Sequence, residues 1–220
     1  MASNPERNEK SKKMKKIISF LIFIIINQSS FSQQFTRLKD ESTENFIERV
    51  KPKKNYEISG KIVETKKWNT NENLIFAFYL VKTINNSNKE AFEETFLEGY
   101  IFEQISENEY KRIFIDSYGQ EGADAEIETI FFSNADKDKS KELIILCSWN
   151  QSRHYGISGS LYQVYVYDEI GVKSKELKKI DKFEKIFGTE YNGTDDSGEK
   201  HKAKYMNAKQ IKEKLKNLGY

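Results

Sequence analysis

The stretch "LIFAFYLVKTI", Leu74 to Ile84, decides the fold class. Its apolar residues run almost without interruption instead of alternating with polar ones. That pattern belongs to a central strand covered on both faces. The segment before it, "YEISGKIVETKKW" from Tyr56, has a period of two. Tyr56, Ile58, Gly60 and Ile62 alternate with polar neighbours, and Val63 is the exception. The cluster Asn69 to Asn73 marks the turn between the two. Further strand-like runs follow: "EETFLEGYIFEQI", "EYKRIFIDSY", "IETIFFS", "ELIILCSW" and "LYQVYVYD".

Helical periodicity appears near both ends. Phe46, Ile47 and Val50 recur at helical spacing after Ser42, and Pro52 ends the run. At the C-terminus Asn207 is placed to cap a helix with Ile211, Leu215 and Leu218 as its apolar stripe, and Gly219 stops it. Between these regions, "KELKKIDKFEKIFG" reads as a strand and a short helix closed by Gly188, and "TEYNGTDDSGEKHK" as a polar loop. The fold class expected is α+β. It is a predominantly antiparallel β-sheet of about seven or eight strands, with a short N-terminal and a C-terminal helix, in a single domain over residues 33–220. No internal repeat of propeller period is present.

Residues 14–32 have the three parts of a signal peptide. Lys15 and Lys16 form a basic start, Ile17 to Ile26 an apolar run too short to span a bilayer comfortably, and Ser30 and Ser32 a small-residue exit before Gln33. Residues 1–13 are read as an upstream extension before a natural-looking start at Met14. The chain is therefore expected to be exported from a bacterium, to the periplasm or outside the cell, with no stable transmembrane segment after cleavage. Its 36 Lys and Arg against 34 Asp and Glu give +2. Residues 1–32 hold six of the basic and two of the acidic residues, so the remainder has a net charge of −2. A folded domain without a positive surplus is not expected to bind nucleic acid. The single cysteine, Cys147, lies in an apolar strand-like run, so it is read as buried, and core packing or a bound ion must supply stability.

The candidate chemistry is "FFSNADKDKSKELIIL", Phe131 to Leu146. Oxygen-bearing residues recur at every second position: Asn134, Asp136, Asp138, Ser140 and Glu142. Ca²⁺ takes roughly six to eight oxygens, and alternate acids in a tight loop can aim several at one centre. An EF-hand register from Asp136 fails, because Lys141 and Cys147 would fall at its sixth and twelfth positions. A solvated β-turn is the plainer reading of the same loop.

Read from Asn134, the segment resembles the D-x-D-x-D-G-x-x-[DE]-L-[IV] loop of integrin-type FG-GAP (VCBS-like) repeats and of small exported bacterial proteins carrying one such loop. The preceding "FF" and the following "ELIIL" fit, and the resemblance extends over about residues 130–168. Two positions depart from it: Asn134 is neutral, and Lys139 stands where the family has a turn-forming glycine. The resemblance implies Asn134, Asp136, Asp138, Ser140 and Glu142 as ligands of a Ca²⁺ site, and their sparse charge points to a weak one, roughly 10⁻⁴ to 10⁻³ M.

His154 and His201 lie in polar loops without metalloprotease spacing and read as solvated. Glu126 and Glu128 read as an exposed strand face, and "DDSGE" as a flexible surface segment. No catalytic constellation emerges. The function expected is a non-enzymatic binding protein, similar to periplasmic lysozyme inhibitors or immunity proteins, with a protein partner. Arg153, His154 and Tyr155 in the loop "NQSRHYGISGS" form its candidate surface, since Arg and Tyr favour interfaces. The alternatives are a cation-stabilised cell-envelope protein and a cation-dependent hydrolase.

Overall fold

The structure, a computed structural model, describes residues 33–66, 68, 72–85, 92–151, 158–171 and 174–220. Residues 14–32, read from the sequence as a signal peptide, and residues 1–13 before them lie outside the described residues. Among the described residues ten strands form two five-stranded antiparallel sheets, so the α+β, mainly antiparallel expectation holds. The first sheet contains β1 (Gln34–Thr36), β2 (Glu57–Thr65), β3 (Leu74–Asn85), β4 (Phe92–Gln104) and β5 (Glu109–Tyr118), in the order β1-β5-β4-β3-β2. The second contains β6 (Ala125–Ser133), β7 (Glu142–Asn150), β8 (Ser158–Tyr167), β9 (Thr189–Thr194) and β10 (Lys200–His201), in the order β10-β9-β8-β7-β6.

Side chains alternate across each strand, and the alternation builds four layers. From β3, Leu74, Phe76 and Phe78 meet Leu143, Ile145, Cys147 and Trp149 of β7 in the core between the sheets. The intervening Ile75, Ala77, Tyr79 and Val81 face outward against α1 (Thr43–Arg49), which buries Phe46 and Ile47 there, with Val50 just past its end. On the other outer face, Ile144 and Leu146 of β7 pack with α2 (Lys182–Phe187) and α3 (Ala208–Asn217). The unbroken apolar run of β3 is thus explained by a sheet on one side and a helix on the other. β3 is an interior strand, as its run suggested, paired with β4 on one side and with the edge strand β2 on the other.

Both helix starts follow their sequence signals. Ser42 Oγ accepts the Asn45 N–H at 3.2 Å, and Asn207 Oδ1 accepts the Gln210 N–H at 3.1 Å. Leu218 departs from its expectation. It is 41% exposed, and Tyr220 packs with the cluster instead, its ring 5.9 Å from that of Phe183. The segment read as a polar loop after Gly188 also differs, because its residues form β9 and β10. Asp195 organises the turn between them. Its Oδ1 accepts from the N–H groups of Ser197 (3.0 Å) and Glu199 (2.9 Å).

Polar pins hold the two sheets together. Trp149 Nε1 donates to the Gly119 carbonyl at 2.8 Å, and Trp68 Nε1 donates to the Lys141 carbonyl. Between them, the Tyr118 hydroxyl of β5 donates to Tyr167 of β8 (2.9 Å), whose own proton goes to Asp116 (2.9 Å). One flank is also closed by backbone. The Phe114 N–H bonds to the Lys175 carbonyl and the Leu177 N–H to the Phe114 carbonyl, while Lys179 bridges to Tyr167. Residues 174–180 therefore stitch β5 to β8.

Packing between β3 and β4 requires one glycine. A Cβ at Gly99 would come within 2.8 Å of the Phe78 ring and 3.3 Å of Ile115 Cβ. Phe78 is buried and its ring would have to shift, so Gly99→Ala is expected to cost about 1–3 kcal/mol through overpacking. A urea melt should show a lower midpoint at unchanged slope.

Candidate functional site: the β6–β7 loop

The pairing of Ser133 with Glu142 closes the β6–β7 ladder and leaves residues 134–141 as the connecting loop. Ala135, fully buried beneath it, anchors the loop to the outer core. Two successive side-chain turns then shape the backbone. Asp136 Oδ1 accepts the Asp138 N–H at 2.8 Å, and Asp138 Oδ1 accepts the Ser140 N–H at 2.7 Å. These turns account for the departure at Lys139. Among the described non-glycine residues only Asp40 has positive φ, so the lysine occupies ordinary backbone and no glycine is needed there.

Glu142, the first residue of β7, is 0% exposed. Its Oε2 accepts the Ala135 N–H, while its Oε1 is buried with no hydrogen-bond partner. Burial pushes its carboxyl above the usual range, the N–H groups of Ala135 and of Glu142 itself oppose this, and the charges of Asp136 and Asp138 push in the same direction as burial. One oxygen from each of Asp136, Asp138 and Glu142 lies within 4.8 Å of the others. A lone buried carboxylate oxygen beside two more carboxylates is a costly arrangement that a hard cation reverses.

Of the five expected ligands, the structure thus gathers the three acids. Asn134 is exposed, and Ser140 is half-buried with its N–H given to Asp138. Exposed Lys137, Lys139 and Lys141 surround the cluster. The loop is also tied to the first sheet. Trp68, 1% exposed, stacks on Phe132 at 5.3 Å and 14°, and its indole N–H holds the carbonyl next to Glu142. Periodicity gave no sign of this tether.

Arg153, His154 and Tyr155 lie outside the described residues. The described residues that flank them stand away from the cation loop. Glu142 and Asn150 stand at opposite ends of β7, so the two connections leave from opposite ends of the sheet. Cys147 is fully buried, as expected, and burial raises its thiol pKa well above the ordinary value.

A second group was read as solvated loop residues. His201 Nε2 lies 2.7 Å from Asp195 Oδ2, with Glu199 close by. The Ser197 hydroxyl and then His201 hold the Asp195 carboxyl well below its usual range, and Asp195 in turn raises His201. The "DDSGE" spacing was the available signal, since Asp followed by Ser and Gly favours a side-chain-capped turn. Among the described residues no helix is long and apolar enough to cross a membrane. Comparison with protein-family models, with curated proteins and with solved structures finds no match to this chain.

Proposed function

We propose that this is an exported, non-enzymatic binding protein whose β6–β7 loop takes up Ca²⁺ as a brace. The observation carrying the cation is Glu142 Oε1, buried, unpartnered and converging with Asp136 and Asp138. A bracing role is supported by the setting. Asp136 is half-buried and Asp138 exposed on a loop, and the cleft between β2 and β6 has walls that exclude all three acids. The likeness of the loop to FG-GAP-type sequences points the same way, as does the signal-like segment before Gln33.

The binding role is tested by capture from a bacterial envelope extract on the immobilised protein, in Ca²⁺ and in EDTA. A specific partner retained by wild type, and lost with Arg153→Ala or Tyr155→Ala, is the expected result. Equal recovery on all three proteins excludes that surface. A structural protein of the cell envelope is the second reading, favoured by the Trp68 tether, which lets a cation in the loop stiffen both sheets. It predicts cation-dependent melting with no soluble partner retained.

A further inference from the structure

The two flanks of the sandwich differ. Residues 174–180 stitch one flank, whereas on the other the edge strands β2 and β6 face each other across an open channel. The channel has two stretches of about 540 and 390 Å³ that share Val63 and Ile130 as lining. It runs along some seven residues of strand, or about 20 Å. Its floor is the margin of the inter-sheet core, where Val63, Ile127, Ile130 and Phe132 are half-buried.

Both edges are bulged. β2 shifts register between Ser59 and Val63, where Gly60 takes φ 70°, and β6 shifts between Ile127 and Thr129. Such bulges oppose flat edge-to-edge pairing of two copies. Beyond the bulge, residues 129–133 of β6 continue in regular register with β7, and edge strands leave backbone groups on their outer side unpaired. Charge is divided along the channel. At one end exposed Glu126 and Glu128 outnumber the exposed Lys61 of β2, and at the other stand exposed Lys141 and Lys212.

We infer that this channel binds an extended peptide segment of a partner protein, added antiparallel to residues 129–133 of β6. Antiparallel addition starts the peptide at the lysine end and finishes it at the glutamate end. The complementary ligand therefore has an acidic residue first, apolar residues at alternate positions, and Lys or Arg last. The alternate apolar side chains enter the slit over Ile130 and Phe132. This deepens the binding-protein reading by naming a partner chemistry, and it fails separately from the cation, because the peptide test runs equally in EDTA.

The probe is a dye-labelled peptide Glu-Val-Thr-Val-Thr-Val-Lys, compared with its end-swapped version Lys-Val-Thr-Val-Thr-Val-Glu by fluorescence anisotropy on the full chain. Saturable binding of the first, about fivefold tighter than the second, is the expected result. A double variant Glu126→Lys/Lys212→Glu should reverse the preference while keeping the wild-type circular dichroism. Both positions are exposed, and Glu126→Lys alone serves if the pair folds poorly. Hydrogen exchange should show new protection at residues 129–133. No saturable binding at millimolar protein, equal binding of the two peptides, protection elsewhere, or dimerisation that protects the same amides without peptide would each overturn the proposal.

Discussion

Adding 10 mM Ca²⁺ to the protein in EDTA-treated buffer should raise its melting temperature by about 3–10 °C. The loop offers three carboxylates and suits a site of roughly 10⁻⁴ to 10⁻³ M, so this concentration is some 10 to 100 times Kd. Mass action then stabilises the folded chain by about 1.4–2.7 kcal/mol. In a chain of this size each kcal/mol moves the midpoint by about 2–4 °C. Mg²⁺ should do less, because it demands tighter octahedral geometry and gives up water reluctantly.

The variant that isolates the cause is Glu142→Gln. Its amide oxygen can keep the Ala135 N–H, and its NH₂ can donate toward Asp136 and Asp138, replacing a buried unpartnered oxygen with a donor. The Ca²⁺-induced shift should vanish. In EDTA the variant should melt at or above wild type, since the uncompensated charge is gone. Asp136→Ala should also lose the shift. Wild type that shows neither calorimetric heat nor any change in melting temperature with Ca²⁺ removes the cation from the proposed function.

Trp68→Ala should be the more damaging change, costing about 3–5 kcal/mol in urea unfolding. The indole is buried among Phe76 and Phe132, with ring centroids at 6.4 and 5.3 Å, and removing it opens the end of the sandwich. Trp68→Phe separates the two parts of its role. It keeps a ring on Phe132 but leaves the Lys141 carbonyl without the indole N–H, a loss of about 1 kcal/mol. Because that carbonyl precedes Glu142, Trp68→Phe should also weaken Ca²⁺ binding several-fold. A double-mutant cycle with Glu142→Gln should therefore be non-additive. A cost below about 1 kcal/mol for Trp68→Ala would show that Trp68 does not hold the sheets together.

The strands of β3 and β7 were legible because burial on two faces leaves a run of apolar residues, and their identity depends on no distant partner. The α1 and α3 starts were legible for a similar reason. Ser42 and Asn207 cap amides only three residues away. β9 and β10 were missed because their polar side chains are half-buried or exposed. Their strand character comes from pairing with β8 and from Asp195 closing the turn. Leu218 was misread because helical spacing cannot distinguish a stripe that continues from one that Tyr220 completes.

At the candidate site, the sequence by itself determined the acids, their spacing and the strand that follows, since all lie within one loop. Only the tertiary structure decided that Glu142 is sealed from water with one oxygen unpartnered, that Asp side-chain turns dispense with a glycine at Lys139, and that Trp68 ties the loop to the other sheet. It alone also decided that there are two sheets, that one flank is stitched by residues 174–180, and that the other leaves β2 and β6 facing across a channel. Periodicity records which face of a strand is dry. It carries no information about which strand lies beside it or which sheet lies opposite, because those contacts join residues far apart in the chain.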